Sequence, residues 1–270
     1  MQKWPVNIRL EANADLTIGL FGKPLYIRRL QGSTLSCSLD VPTSERLVGI
    51  HESADTLQFV PELGERALLI FPRPTLLCPA LLKLTVYIEL PLFLQMSVGK
   101  GAHFDLIDGY TPPTVAKGIY GPVDAGIVCT SMKGRCAPSI ETLTQRRLEE
   151  EDGHRSELSY EIDDGETRRE TLVAYCRLEV VNTTDAPLEI TKIMLPANQL
   201  SLYQNGDQLL TNHVRMRLLS KQEAELSMLG APDPPAKILQ SGTRSPSTLD
   251  KGVQIFSFAY RSKTGLDYGF

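Results

Sequence analysis

A chain of 270 residues with 42% hydrophobic and 22% charged residues has the composition of an ordinary soluble globular protein, which excludes global disorder and a fibrous repeat. The length suits one large or two ordinary β domains, and two is the working count. A formal net charge of −4 supplies no drive toward nucleic-acid phosphates or an anionic membrane surface, so neither is expected as a partner.

The N-terminus has no apolar run behind Lys3, so no signal peptide is expected and a cytoplasmic location is. Five cysteines, at 37, 78, 129, 136 and 176, form no C-x-x-C pair, which argues for buried thiols in a reducing compartment and against a disulfide framework or a thiolate zinc site. Short alternating segments then follow one another. Leu16–Leu20 and Thr34–Leu39 read as strands, the second with Leu35, Cys37 and Leu39 inward; Leu57, Phe59 and Ala67–Phe71 continue the series. Prolines 72, 74 and 79 mark a loop or an edge.

Residues Leu76 to Val98 resemble a membrane span in hydropathy, yet Lys83 and Glu89 lie inside, and a central charge costs about 3 kcal/mol on insertion. Period-two alternation fits better. Leu82, Leu84, Val86, Ile88 and Leu90 take one face and Lys83, Thr85, Tyr87 and Glu89 the other; Leu92, Leu94, Met96 and Val98 repeat the pattern after a break at Pro91, as a core hairpin would. From Gly99 to Pro138 the chain is loop-rich. The charged stretch 146–170, with fifteen charged positions, reads as a solvated helix end and an exposed hairpin at Asp164-Gly165; Ser139 is placed to cap a helix through about Glu150. A boundary falls there, giving an N-terminal β domain over 1–145, a charged linker or hairpin over 146–170 and a C-terminal β-sandwich over 171–270.

In the last part Cys176, Leu178 and Val180 alternate with Arg177 and Glu179, and Asn182-Thr183-Thr184-Asp185 turns the chain toward Leu188–Ile190 as a hairpin. Asn205-Gly206 signals a type I′ turn, and Val214–Leu218 alternates again. Residues 220–229 carry both a capping-box pattern, Ser220 with Glu223, and strand alternation at Ala224, Leu226 and Met228; strand neighbours favour the strand. Residues 231–251 read as a long connection and Val253–Tyr260 as a last strand with an aromatic core stripe. The expected fold is all-β: two antiparallel sandwiches, immunoglobulin-like or jelly-roll-like, with little helix.

Chemistry is sparse. There is no G-x-S-x-G, P-loop or H-E-x-x-H, and the four histidines are far apart, so no catalytic residue, metal ligand or cofactor is assigned. Gly99-Lys100-Gly101 is read as a hairpin turn, and Asn182-Thr183-Thr184, formally a glycan acceptor, as a turn. One region could carry a ligand. His103 and Asp105 would share one side of a strand, as metal ligation or proton transfer requires, although two solvent-facing residues of an edge strand would look the same. Tyr110 to Cys129, with Tyr120, Gly121 and Asp124, is a glycine- and proline-shaped loop of the kind that binds, or equally a sandwich crossover. His103, Asp105, Tyr110, Tyr120, Gly121 and Asp124 are therefore the candidate ligand-binding residues.

Several of these segments, namely Cys78-Pro79, the strand Leu84–Glu89, Tyr120–Cys129, Leu178–Asn182, Ile193–Pro196 and Leu202-Tyr203, together resemble domain-of-unknown-function family four-three-two of archaea and bacteria, over roughly residues 15 to 230. The resemblance implies no activity and no catalytic residues. Through gene neighbourhood it implies a soluble accessory or regulatory role, with a mechanosensitive membrane channel as a candidate partner. Two readings stand: a non-catalytic interaction or regulatory module with a protein partner, and a small-ligand- or metal-binding protein or enzyme with a site near residues 103–129.

Overall fold

The computed structural model describes residues 3–11, 13, 15–21, 23–30, 33–40, 45–112, 114–120, 127–153, 172–221, 223–232, 236–242 and 254–257. In chain order the strands are β1 Val6–Arg9, β2 Asp15–Leu20, β3 Lys23–Arg29, β4 Thr34–Leu39, β5 Arg46–Gly49, β6 Thr56–Glu62, β7 Ala67–Arg73, β8 Leu76–Cys78, β9 Lys83–Pro91, β10 Phe93–Lys100, β11 His103–Tyr110, β12 Ala116–Tyr120 and β13 Ile127–Ala137. After helix α1, Ile140–Gly153, come β14 Val173–Asn182, β15 Leu188–Ile190, β16 Ile193–Leu195, a 3-10 turn at Ala197–Gln199, β17 Leu202–Asn205, β18 Gln208–Thr211, β19 Val214–Leu218, β20 Glu223–Met228, β21 Lys237–Gln240 and β22 Gln254–Ser257. The all-β expectation holds, and among the described residues no helix is long and apolar enough to cross a membrane.

The chain forms two compact units that alternate along the sequence instead of following one another across residues 146–170. The first takes residues 1–62, 91–113 and 150–173; the second takes 63–90, 114–149 and 174–270. The reason lies in strand pairing. β13 and β9, from the N-terminal half, share one sheet with β14 and β17–β22, from the C-terminal half, so a cut in the charged stretch would divide a hydrogen-bonded sheet.

The first unit holds two four-stranded antiparallel sheets, in the orders β1-β6-β10-β11 and β2-β3-β4-β5. Their alternating residues supply the core: Ile18, Leu20, Leu25, Ile27, Leu35 and Cys37 from one sheet and Leu57, Phe59, Leu94, Met96 and Val98 from the other are buried. Leu39, expected inward, is 37% exposed at the end of β4. Gly101, φ 65°, turns β10 into β11, as the hairpin reading of Gly99-Lys100-Gly101 required. A Cβ on Gly99 would stand 1.9 Å from the His103 carbonyl oxygen, so this position accepts only glycine.

The second unit contains a twelve-stranded mixed sheet and a two-stranded ribbon, β8–β15. Three pairings depart from the antiparallel expectation: β13 with β7, and β14 with β18 and β19, are parallel. Two expected hairpins also pair elsewhere. β9 and β10 are adjacent in sequence but lie in different sheets, because Pro91 ends β9 and the one-residue link Leu92 is too short to return the chain on itself. Likewise β15 pairs with β8 and not with β14.

Other local signals behave as read. Ser139 Oγ accepts the Thr142 N–H at 3.2 Å and starts α1. Residues 223–228 are strand β20; the Ser220 and Glu223 pattern makes its entry turn, with Ser220 Oγ accepting the Glu223 N–H at 3.1 Å. The hairpin after Tyr203 turns at Gly206-Asp207, one residue beyond the expected Asn205-Gly206. The long connection 231–251 contains β21, which pairs with β17, and the last strand is described as Gln254–Ser257 on β20. The hairpin expected at Asp164-Gly165 lies outside the described residues.

One polar contact deep in the second unit qualifies the alternation. Glu89, expected on the solvent face of β9, has only 5% of its side chain exposed and pairs with Arg135 Nε of β13 at 3.2 Å. A further carboxylate, Glu179 on β14, is 10% exposed and held by Lys83 Nζ and by Arg215 Nε at 2.6 Å. The Lys83 hydrogen bond, against burial and with help from Arg215, holds its carboxyl below the usual range. A depressed folded-state pKa gives stability that is present above the unfolded value, about 4.3, and is lost as pH falls through the folded one. The acid limb of the stability curve should therefore be shallower in Glu179→Gln than in the wild type, as pH-dependent urea unfolding measures.

Candidate functional site

Strand β11 carries three of the six candidate residues. A bulge inserts one residue between the Met96–Asp108 and Ser97–Leu106 pairs, and this shift keeps His103, Asp105, Asp108 and Tyr110 on the face of their partners Lys100, Val98, Met96 and Leu94. His103 and Asp105 thus share a face, as expected, and both are exposed. Tyr110 is buried at the other end of the strand, roughly 20 Å away at about 3.3 Å per residue. Its hydroxyl meets Met96 Sδ at 3.9 Å, and burial, with nearby Asp108, pushes its pKa up. Asp108 pairs with Arg46 Nη1 at 3.0 Å. The strand therefore strings these groups out and does not converge them. Tyr120 lies on β12, in the other compact unit; Gly121 and Asp124 lie outside the described residues.

No other constellation takes their place. Among the described residues no three histidines, cysteines or carboxylates gather as a metal-ligand set. All five cysteines are buried and free. Desolvation pushes the Cys37 and Cys176 thiols up to about 11 and Cys136 to about 12, and raises Cys78 and Cys129. At neutral pH none of them is a ready thiolate. Native protein should accordingly show no fast-reacting thiol with a disulfide reagent, and all five after denaturation; one fast thiol in the native state would contradict this burial.

One tightly hydrogen-bonded surface feature is one that alternation could not reveal. Between β8 and β9 the loop Pro79–Leu82 is held by Asn182, which is 1% exposed. The Asn182 amide donates to the carbonyls of Cys78, Pro79 and Ala186 at 3.1, 3.0 and 2.8 Å, and its oxygen accepts the Thr184 N–H and hydroxyl at 3.0 and 2.8 Å. Its backbone N–H donates to the Leu82 carbonyl at 2.9 Å, and the Leu81 N–H donates to the Thr184 carbonyl at 3.1 Å. Every polar atom of the amide is committed inside the fold, so Asn182 is no glycan acceptor in the native state. What the clamp presents is apolar. Leu77, Leu81 and Leu82 are 62%, 71% and 56% exposed, and Leu81 has φ 56°, a left-handed conformation that costs a branched residue about 1–2 kcal/mol. Beside them Leu188, Glu189, Leu218, Ser220 and Lys221 line an open cleft of about 390 Å³.

Fold and surface together define an all-β protein whose chain alternates between two compact units and whose loop at Pro79–Leu82, tied by Asn182, displays leucines. The sequence model of the family described as Protein of unknown function (DUF432) matches residues 8–259, and the chain belongs to that family. No curated protein and no solved structure matches it.

Proposed function

We propose that this protein is a non-catalytic interaction or regulatory module of the cytoplasm, docking a protein partner through the leucine loop at residues 77–82. The supporting observation is three large apolar side chains held out to solvent on a backbone that Asn182 locks in a strained conformation. Exposed leucines on a mobile loop would collapse onto the nearest core; these are prevented from doing so. An anchor already rigid loses little entropy on binding, which is the property of interface hot spots. Strain retained at the surface without a structural benefit marks a functional position.

The first partner to test is a mechanosensitive membrane channel, which the family resemblance brings forward. Immobilised wild type and the variant L77S/L81N/L82S would be exposed to detergent-solubilised membranes containing the channel. Retention by the wild type and at least about tenfold less by the variant supports the reading. Asparagine tolerates the left-handed backbone, so the variant should keep the wild-type melting temperature and the loss cannot be ascribed to unfolding. Equal retention by both proteins overturns the leucine loop as the docking site. The alternative, a ligand or metal near residues 103–129, has the shared face of His103 and Asp105 in its favour; calorimetric titration with zinc against H103A tests it, and heat lost in that variant would favour it.

A further inference from the structure

The chain carries a net negative charge, yet several cations gather on β7, β13 and the residue before β16. On the parallel pair β7–β13, Lys133 stands beside Phe71 and Arg135 beside Arg73. Residues two apart on a strand share a face, and register partners in a sheet project to the same side, so these four lie together. From the opposite flank Lys192 places its ammonium 5.8 Å from the centre of the Phe71 ring. Phe71 itself is half-buried against Leu69, Cys129 and Met194. Arg135 is neutralised by Glu89 on β9. Among the described residues no carboxylate pairs with Arg73, Lys133 or Lys192. Among the described residues three cations without a carboxylate partner thus share the face of Phe71, with Lys192 over its ring.

Such an arrangement is unfavourable for the isolated fold, since like charges on neighbouring strands repel. An external anion removes that repulsion. We propose that this face docks an acidic segment of a partner protein, with aspartate or glutamate side chains on Arg73, Lys133 and Lys192 and an apolar or aromatic residue against Phe71. This rests on the reading of the protein as an interaction module and adds the chemistry of a second partner surface. The arginine fork receives a carboxylate through two parallel hydrogen bonds and the lysines act as point charges. Nucleic acid fits less well, because three cations release few counterions and the rest of the chain is negative. A lipid surface fits less well too: among the described residues β7 and β13 present no exposed large apolar side chain to enter it.

The test uses the whole protein and a short fluorescein-labelled peptide of glutamate and aspartate around a central phenylalanine, followed by anisotropy. Binding is expected, weakened by added salt, and weakened about tenfold or more in K133E/K192E. Should charge reversal disturb the fold by circular dichroism, the neutral K133Q/K192Q variant takes its place, with a loss of about threefold expected. The leucine-loop variant L77S/L81N/L82S should bind this peptide as the wild type does, so failure here and failure of the loop reading are separate results. Unchanged affinity in both lysine variants overturns the proposal. So does tighter binding of a single-stranded oligonucleotide or of anionic phospholipid vesicles than of the peptide. Self-association of the wild type that is lost in K133E/K192E would assign the face to a second copy of the chain and equally overturn it.

Discussion

Asn182→Ala should destabilise the protein by about 3–5 kcal/mol. The substitution removes little apolar area. Its effect comes from the buried carbonyl of Cys78 and the half-buried Thr184 N–H, which lose their partners, and from the part-buried bonds to the Pro79 and Ala186 carbonyls; the Thr184 hydroxyl still donates to the Ala186 carbonyl at 3.0 Å. Each such group stranded away from water costs about 1–3 kcal/mol, less where water enters. Asn182→Asp separates the two halves of the amide: it keeps the acceptor for Thr184 but sets a carboxylate against three carbonyl oxygens, and should be at least as harmful. Urea unfolding measures both. A loss below about 1 kcal/mol for the alanine variant would mean that water replaces the clamp, and the pre-organised leucine loop would lose its physical basis.

Arg135→Met should cost about 3–5 kcal/mol, because it leaves the Glu89 carboxylate, with 5% of its side chain exposed, without the cation that offsets its desolvation. The pair is not thereby a large net stabiliser. Replacing both partners by apolar side chains of similar volume, Glu89→Leu with Arg135→Met, should recover most of the loss, since neither charge then has to be taken out of water. The double-mutant cycle by chemical denaturation decides between the two accounts. If the double variant is as unstable as Arg135→Met alone, the contribution is packing and not the charge pair.

Local structure was legible along most of the chain. Alternation found β2, β4, β6, β7, β9, β10, β14, β19 and β20, and the serine before Ile140 announced the single α-helix among the described residues. These features depend on interactions within a few residues: side chains alternating across a pleat, a hydroxyl reaching an N–H three positions on, a glycine relieving a positive φ. Partner choice was not legible. β9 and β10 looked like a hairpin, as did β14 and β15, and in both cases the neighbour in sequence is not the neighbour in space. The burial of Glu89 illustrates the same limit, since its alternation is that of a solvent face and only the approach of Arg135 from β13 makes burial tolerable.

The candidate site divides in the same way. That His103 and Asp105 share a face follows from their spacing, and the structure agrees. That Tyr110 stands buried and far from them, and that Tyr120 belongs to the other compact unit, depends on how strands from distant parts of the chain assemble. The sequence by itself determined the all-β class, the buried thiols, the Gly101 turn and the Ser139 cap, because each is set by residue type and short-range sterics. The tertiary structure alone decided which strands pair, that Asn182 is a clamp and not a glycan acceptor, that Leu77, Leu81 and Leu82 face solvent, and that Lys133, Arg73 and Lys192 come to the face of Phe71. Those outcomes arise from burying whole faces at once, a non-local condition that no window of residues contains.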